Sequence, residues 1–296
     1  MIAGAIGAAA PAKINLALHV CGKREDGYHL LDSLVVFAGV GDRISVVPSP
    51  ELRLILNGPF GAALKSEDDN LVLRAARLLA TVHGRDANVE ITLTKNLPVA
   101  SGIGGGSADA AATLGACARL WNVDLAQLPH AEIAARLGAD VPVCVEGVPA
   151  FMSGIGEVIA HAPPLPLAWL LLVNPGVPLA TRAVFEALRG RFSAPMPRHG
   201  FVDLANAEAL AKMLKLYTND LMAPAVELRP VIGDVLKTLE APGDCLLARL
   251  SGSGPTCFGL YAGEPQARAA AQTISAQQPG WWVAPAPLLR ENGAIL

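Results

Sequence analysis

Clustered positive charge is what this chain most clearly lacks. Charged residues fill only 17% of its 296 positions, the net charge is −3, and no basic run is longer than Lys23-Arg24. Binding to nucleic acid depends on a stripe of Lys and Arg that neutralises phosphates, so that class of partner is excluded. No C-x-x-C pair occurs either. The five cysteines, Cys21, Cys117, Cys144, Cys245 and Cys257, are odd in number and widely spaced. Reduced thiols in a cytoplasmic protein, rather than a disulfide framework, are expected. Long apolar runs are also missing: Leu165 to Val173 is too short to span a bilayer and contains Pro166, so no membrane span is expected. The opening M-I-A-G-A-I-G-A-A-A-P-A lacks the basic start of a signal peptide and is expected to be a frayed leader. No internal repeat or low-complexity tract is present.

Apolar residues, at 52%, are abundant enough for a substantial core, and the length suits two ordinary domains or one large one. Alternation predicts a strand over Ala12 to Val20, closed by the Arg24-Glu25-Asp26-Gly27 turn. Further strands are expected over Leu34 to Phe37, Arg43 to Val47, Leu52 to Leu56 and Val89 to Thr94. An amphipathic helix over Asn70 to His83 follows the acidic Glu67-Asp68-Asp69. A helix near Ala131 to Leu137 precedes short strands at Val143 and Phe151. The proline-rich Ala162-Pro163-Pro164-Leu165-Pro166 marks a boundary between residues 1–162 and 163–296. Beyond it are expected a strand (Trp169 to Asn174) and helices at Thr181 to Leu188, Ala205 to Leu216 and Ala223 to Leu239. Arg191 to Gly200 is expected to be a loop. Strand, strand, helix and strand close the chain from Leu246 to Val283, which makes an α+β fold.

The densest chemical signal is P98-V-A-S-G-I-G-G-G-S-A-D-A-A111. Gly102, Gly104, Gly105 and Gly106 let the backbone turn tightly and approach a ligand. The segment from Ser107 to Leu120, with six alanines, favours helix. The first turn of a helix offers unpaired N–H groups and partial positive charge, which suits phosphate. Ser101 and Ser107 add hydroxyls able to bond phosphate oxygens or ligate magnesium. A triphosphate cradle is the resulting expectation. A Walker A loop is excluded because no Lys follows Gly106, and a dinucleotide fingerprint because Ser107 stands where its third glycine belongs.

Other residues allow two readings each. Lys13 and Asn15 share one face of a strand, either a solvated face or part of a site. Asp140, in L-G-A-D-V-P, either stabilises its own turn or acts as a tuned base among apolar neighbours. Tyr28 and His29 suit either a packed turn or stacking on a nucleobase. Ser251-Gly252-Ser253-Gly254-Pro255-Thr256 is either a hairpin turn or a second phosphate-facing loop.

Four of these segments, P-A-K-I-N-L at 11–16, the glycine loop at 98–111, G-A-D-V-P at 138–142 and S-G-S-G-P-T at 251–256, resemble the GHMP small-molecule kinase superfamily in order and spacing. Within it, R-E-D-G-Y-H-L-L-D-S, D-N-L-V-L-R-A-A and T-N-D-L resemble the kinases of 4-diphosphocytidyl-2-C-methyl-D-erythritol (CDP-methylerythritol), enzymes of non-mevalonate isoprenoid synthesis. The departures, Ile103 for Leu and Ala108 for Ser, touch no residue with a chemical role. The resemblance implies a two-lobed fold, its N-terminal lobe like ribosomal protein S5 domain 2 and its C-terminal lobe ferredoxin-like. It also implies ATP-dependent phosphorylation of a 2-hydroxyl, with magnesium. Asp140 would be the general base and Lys13 its partner. Asn15 would contact the methylerythritol end, and Tyr28, His29, Thr181 and Phe185 the cytosine. Asn70 and Lys95 would lie near adenine, and Pro98, Ser101, Gly102, Ile103, Gly104, Gly105, Gly106 and Ser107 around the phosphates, with Ser107 on the metal. A small-molecule substrate is the expected partner, and a monomer or weak homodimer the expected state. Two alternatives are a kinase of homoserine, mevalonate or a sugar, and a catalytically dead relative that senses nucleotide.

Overall fold

The computed structural model describes residues 5–64 and 70–290, so the Glu67-Asp68-Asp69 lead into the first helix and the first four residues lie outside it. Two long strands, β1 (Ile6–Lys23) and β2 (His29–Pro48), pair antiparallel along their length and form the spine of the molecule. Strand β1 starts at Ile6, so residues 6–11 belong to the sheet rather than to a frayed leader. Strand β2 runs unbroken where two strands were expected. The glycines at 39 and 41 do not end it; near them β1 shifts register, between Pro11 and Ala12. Its length lets β2 serve several partners in turn.

Strand β3 (Arg53–Asn57), helix α1 (Leu71–Val82) and strand β4 (Val89–Thr94) follow, β4 pairing with the end of β2. Helix α2 (Gly105–Trp121) crosses beneath the spine, buried along most of its length because alanine lets it pack closely. After it come α3 (His130–Leu137), α4 (Val141–Glu146), β5 (Ala150–Gly154) and β6 (Val158–His161). Val143 therefore lies in a helix and not in a strand. Pro142 suits the first turn and Gly147 the αL C-cap of α4, and six residues are too few to reveal a helical period.

The remainder contains β7 (Trp169–Asn174), α5 (Thr181–Ala187), α6 (Ala207–Leu214), α7 (Met222–Leu228), α8 (Val231–Glu240), β8 (Leu247–Leu250), β9 (Cys257–Tyr261), α9 (Glu264–Gln277) and β10 (Trp282–Leu289). The single helix expected over Ala223 to Leu239 is two, because Pro230 has no N–H to continue α7. Strands β10, β7, β9 and β8 lie in that order and pair antiparallel, with helices between β7 and β8 and between β9 and β10. This is the ferredoxin-like arrangement. At Leu288 and Leu289, β10 reaches β2 and joins the two sheets.

Arg249 ties this junction together. Its guanidinium donates to the carbonyls of Leu16 (2.7 Å), Leu214 (2.9 Å) and Tyr217 (2.8 Å). Burial pushes the guanidinium down to about 10. Arg249→Leu leaves three buried carbonyls without donors, so we expect a loss of about 3 kcal/mol, read as a melting temperature lower by about 6–12 °C. An unchanged melting temperature would show that water replaces the guanidinium.

Candidate active site

Three chain segments meet at one point on β1. Lys13 and Asn15 project from it and are buried, so the solvated-face reading fails. The Lys13 ammonium lies 3.0 Å from Asp140 Oδ2 and donates to Asn15 Oδ1 at 3.2 Å. Asn15 is itself held: its Nδ2 donates to Ser33 Oγ at 2.8 Å and its backbone N–H to Ser251 Oγ at 3.2 Å. Asp140 stands at the N-terminus of α4, but its side chain makes no capping hydrogen bond there. Its carboxylate faces Lys13 instead, with the side chain 40% exposed. The turn-stabilising alternative is thereby removed.

The glycine loop packs against this pair. Lys13 N–H donates to Ile103 O at 2.9 Å, while the Ile103 side chain is buried in the core. Ile103 thus contributes a carbonyl to β1 and no side chain to a phosphate site. Gly104 caps α2 in the left-handed region at φ 64°, where a Cβ would lie 2.9 Å from Lys13 Cβ. The 251–256 loop is the turn of the β8–β9 hairpin, closed by the Ser251 N–H donating to Thr256 O at 3.0 Å, and it also buttresses the glycine loop. Ser251 Oγ donates to Gly102 O at 3.1 Å, and Thr256 N–H to Ser101 O at 3.1 Å.

Two cavities adjoin this contact. One, of about 300 Å³, is lined by Asn70, Leu71, Lys95, Pro98, Ser101, Gly102, Gly104, Gly105, Gly106, Ser107 and Asp109. The other, of about 150 Å³, is lined by Lys13, Asn15, Gly102, Gly104, Asp140, Thr181, Phe185, Gly252 and Ser253. Gly102 and Gly104 face both. A larger cavity, of about 730 Å³, lies near the far end of α2, beside Arg119, His130 and Glu146, and contains none of these groups.

In the first cavity the N–H groups at the start of α2 have no carbonyl a turn earlier to accept them, the condition that favours an anion. Ser107 makes no side-chain hydrogen bond among the described residues. Ser101 differs: its hydroxyl donates to Pro98 O at 2.6 Å, so its proton braces the loop rather than a phosphate. Asn70 Oδ1 caps α1 by accepting from Val72 N–H at 2.9 Å, which leaves its amide nitrogen for the cavity. The Lys95 ammonium lies 2.5 Å from Asp42 and 2.6 Å from Asp109. Burial works against its charge, but Asp109 and Asp42 prevail and hold Lys95 above the ordinary lysine value.

At the mouth of the second cavity the His29 and Phe185 rings stack at 4.6 Å. Thr181 Oγ1 lies 2.9 Å from Ser253 Oγ. Burial, with Lys23 second, lowers the His29 value below that of an ordinary histidine. Tyr28 is not gathered in; it stands 59% exposed at the hairpin tip. Sequence patterns gave no role to Asp42, Asp109 or Ser33. Asp42 has no motif around it, whereas Asp109, an acid inside an alanine helix beginning at a phosphate loop, was a visible anomaly.

Residues 70–148 match the family model described as GHMP kinases N terminal domain, and residues 201–280 match GHMP kinases C terminal. The chain belongs to the GHMP kinase family. As a GHMP kinase it is an ATP-dependent phosphotransferase. It is 54% identical to the 4-diphosphocytidyl-2-C-methyl-D-erythritol kinase of Paramagnetospirillum magneticum, over 95% of this chain and 97% of that one. It is 50% identical to the enzyme of the same name from Rhodospirillum rubrum, over 97% and 94%. A crystal structure of 4-(cytidine 5'-diphospho)-2C-methyl-D-erythritol kinase superposes with a TM-score of 0.78 at 34% identity, covering 95% of this chain and 98% of the other. Homoserine kinase from Cytophaga hutchinsonii shares the fold of this GHMP kinase, with a TM-score of 0.73 at 18% identity, over 99% and 97% of the two chains. Among the described residues no helix is long and apolar enough to cross a membrane.

Proposed function

We propose that this GHMP kinase transfers the γ-phosphoryl group of ATP to the 2-hydroxyl of 4-diphosphocytidyl-2-C-methyl-D-erythritol, in the cytoplasm, in isoprenoid precursor synthesis. The observation that carries it is that the Lys13–Asp140 pair and the α2 N-terminus line two cavities that share Gly102 and Gly104. An acceptor in the smaller cavity thereby faces the end of a triphosphate in the larger one. Names and identities of the relatives supply the substrate. We take residues 1–162 and 163–296 as the two lobes.

An alcohol is a weak nucleophile at neutral pH, so its proton must leave as the new bond forms. The Asp140 carboxylate takes that proton while the substrate oxygen bonds to the γ-phosphorus. The bond from that phosphorus to the β–γ bridging oxygen breaks, and ADP leaves. Lys13 stabilises the negative charge developing on the substrate oxygen, and Asn15 holds Lys13 in place. The N–H groups opening α2 hold the phosphates, as phosphoryl transfer requires positioning and charge stabilisation rather than covalent help. Magnesium would be held mainly by the phosphates and water, which asks few ligands of the protein. Ser107, whose hydroxyl makes no hydrogen bond among the described residues, would supply one oxygen. When bound, the ion neutralises charge on the phosphates. Phe185 and Thr181, with His29, would receive the cytosine, and Tyr28 would close on it from the hairpin tip.

The test is ADP release on mixing ATP with the cytidyl substrate, beside homoserine and mevalonate. Turnover with the cytidyl compound alone is expected. Turnover with another alcohol would move the substrate assignment, and binding without turnover would favour a nucleotide sensor. Lys13→Met is expected to lower turnover about 100-fold. A raised Michaelis constant for the acceptor with turnover unchanged would make Lys13 a binding residue only.

A further inference from the structure

Asp42 lies on β2, far in sequence from every motif of the site, yet it is almost wholly buried and each of its oxygens is committed. Oδ1 accepts from the backbone N–H groups of Asn96 (2.6 Å) and Leu97 (2.8 Å), the two residues that lead into Pro98 and the glycine loop. Oδ2 accepts from the Lys95 ammonium at 2.5 Å. The neighbouring Gly41 carbonyl accepts from Asn96 Nδ2 at 3.1 Å, which ties the same segment again. Asp109, one turn into α2, takes a second hydrogen of the ammonium at 2.6 Å.

An ammonium has three hydrogens. Two are spent on Asp42 and Asp109, so Lys95 can offer the nucleotide cavity one directed donor. Its charge is also matched by carboxylates, and no other Lys or Arg lines that cavity among the described residues. Lys95 therefore does not act there as a free cation that traps phosphate from any direction. Its usefulness depends on where its last N–H points, and that direction is set by its two braces.

We propose that Asp42 is a positioning residue for nucleotide binding: it aims the Lys95 ammonium and anchors the backbone leading into the glycine loop, with Asp109 as the second brace. The ligand class is the purine nucleoside triphosphate of the proposed reaction, and the inference rests on that cavity being the nucleotide site. Asp42 touches no substrate and acts through Lys95. Asparagine cannot replace it. With its oxygen kept on the two backbone N–H groups, its NH2 meets the ammonium, donor against donor.

The experiment is a direct titration of ATP into the unmodified chain and its variants, without acceptor. A wrong acceptor assignment leaves this measurement intact and shows itself only in the ADP-release assay. Asp42→Asn is expected to weaken ATP about tenfold or more, with a lowered melting temperature but a folded chain, since the buried Lys95 ammonium keeps Asp109 as a partner. In a Lys95→Met background, where no ammonium remains to be aimed, the same substitution is expected to change ATP affinity less than about threefold. Unchanged ATP affinity in Asp42→Asn overturns the proposal. So does a full tenfold effect that persists with Lys95→Met, which would make Asp42 merely structural. Should Asp42→Asn not fold, Asp109→Ala tests the other brace without disturbing the backbone grip of Asp42. A loss of about threefold or more supports the proposal, and no loss overturns it.

Discussion

Asp140→Asn is expected to lower turnover by two to four decades, about 3–5.5 kcal/mol in the barrier, while ATP affinity stays within about twofold. The substitution is nearly isosteric, and its amide oxygen can still accept from the Lys13 ammonium, now 3.0 Å from Oδ2. The local geometry therefore has no reason to collapse. On the proposed mechanism, what disappears is the capacity to take a proton from the substrate hydroxyl. Nucleotide binding is spared because Asp140 lines only the acceptor cavity. Steady-state ADP release and an independent ATP titration separate the two effects. Turnover within about threefold of the parent enzyme would remove Asp140 from the chemistry and leave Lys13 without a catalytic partner.

Gly102→Ala is expected to damage both cavities at once. Gly102 sits at φ 75°, and a Cβ there would lie 2.6 Å from Gly254 O, 2.7 Å from Gly254 N and 2.7 Å from Ser251 O. All three neighbours are backbone atoms, so no side-chain rotation relieves the overlap. The left-handed conformation alone costs an alanine about 1–2 kcal/mol. The two loops must separate, which breaks the Ser251 hydroxyl's bond to Gly102 O and shifts the wall common to both cavities. We expect ATP affinity to fall about tenfold or more and turnover by about three decades, measured by titration and single-turnover phosphate transfer. Gly106→Ala is the control, since among the described residues a Cβ there meets nothing within 4 Å beyond its own helix, so normal folding is expected. Activity of Gly102→Ala within about fivefold of the parent would mean that the loop contact is not needed for the site.

Both expectations concern residues that the sequence marks openly. Gly102 stands in a run of glycines followed by an alanine-rich helix, and Asp140 is an acid among apolar neighbours. Lys13 and Asn15 carry weaker marks: two polar residues in alternation describe a wetted sheet face equally well. Their burial follows from the fold, because the glycine loop and the 251–256 loop cover β1 where they project. Short elements were the least legible. Six residues of α4 show no period, and Pro230 divides α7 from α8 inside one apolar pattern.

By itself the sequence determined the glycine loop, the short motifs around Lys13 and Asp140, and the α+β order of elements. Those are properties of short neighbouring stretches, where backbone freedom, helix propensity and charge act locally. Only the tertiary structure decided that Lys13 meets Asp140, that the 251–256 loop braces Gly102, and that Asp42 grips Lys95. Each of these joins residues far apart in the chain, and such pairings are settled by which buried polar groups must find partners once the core has closed.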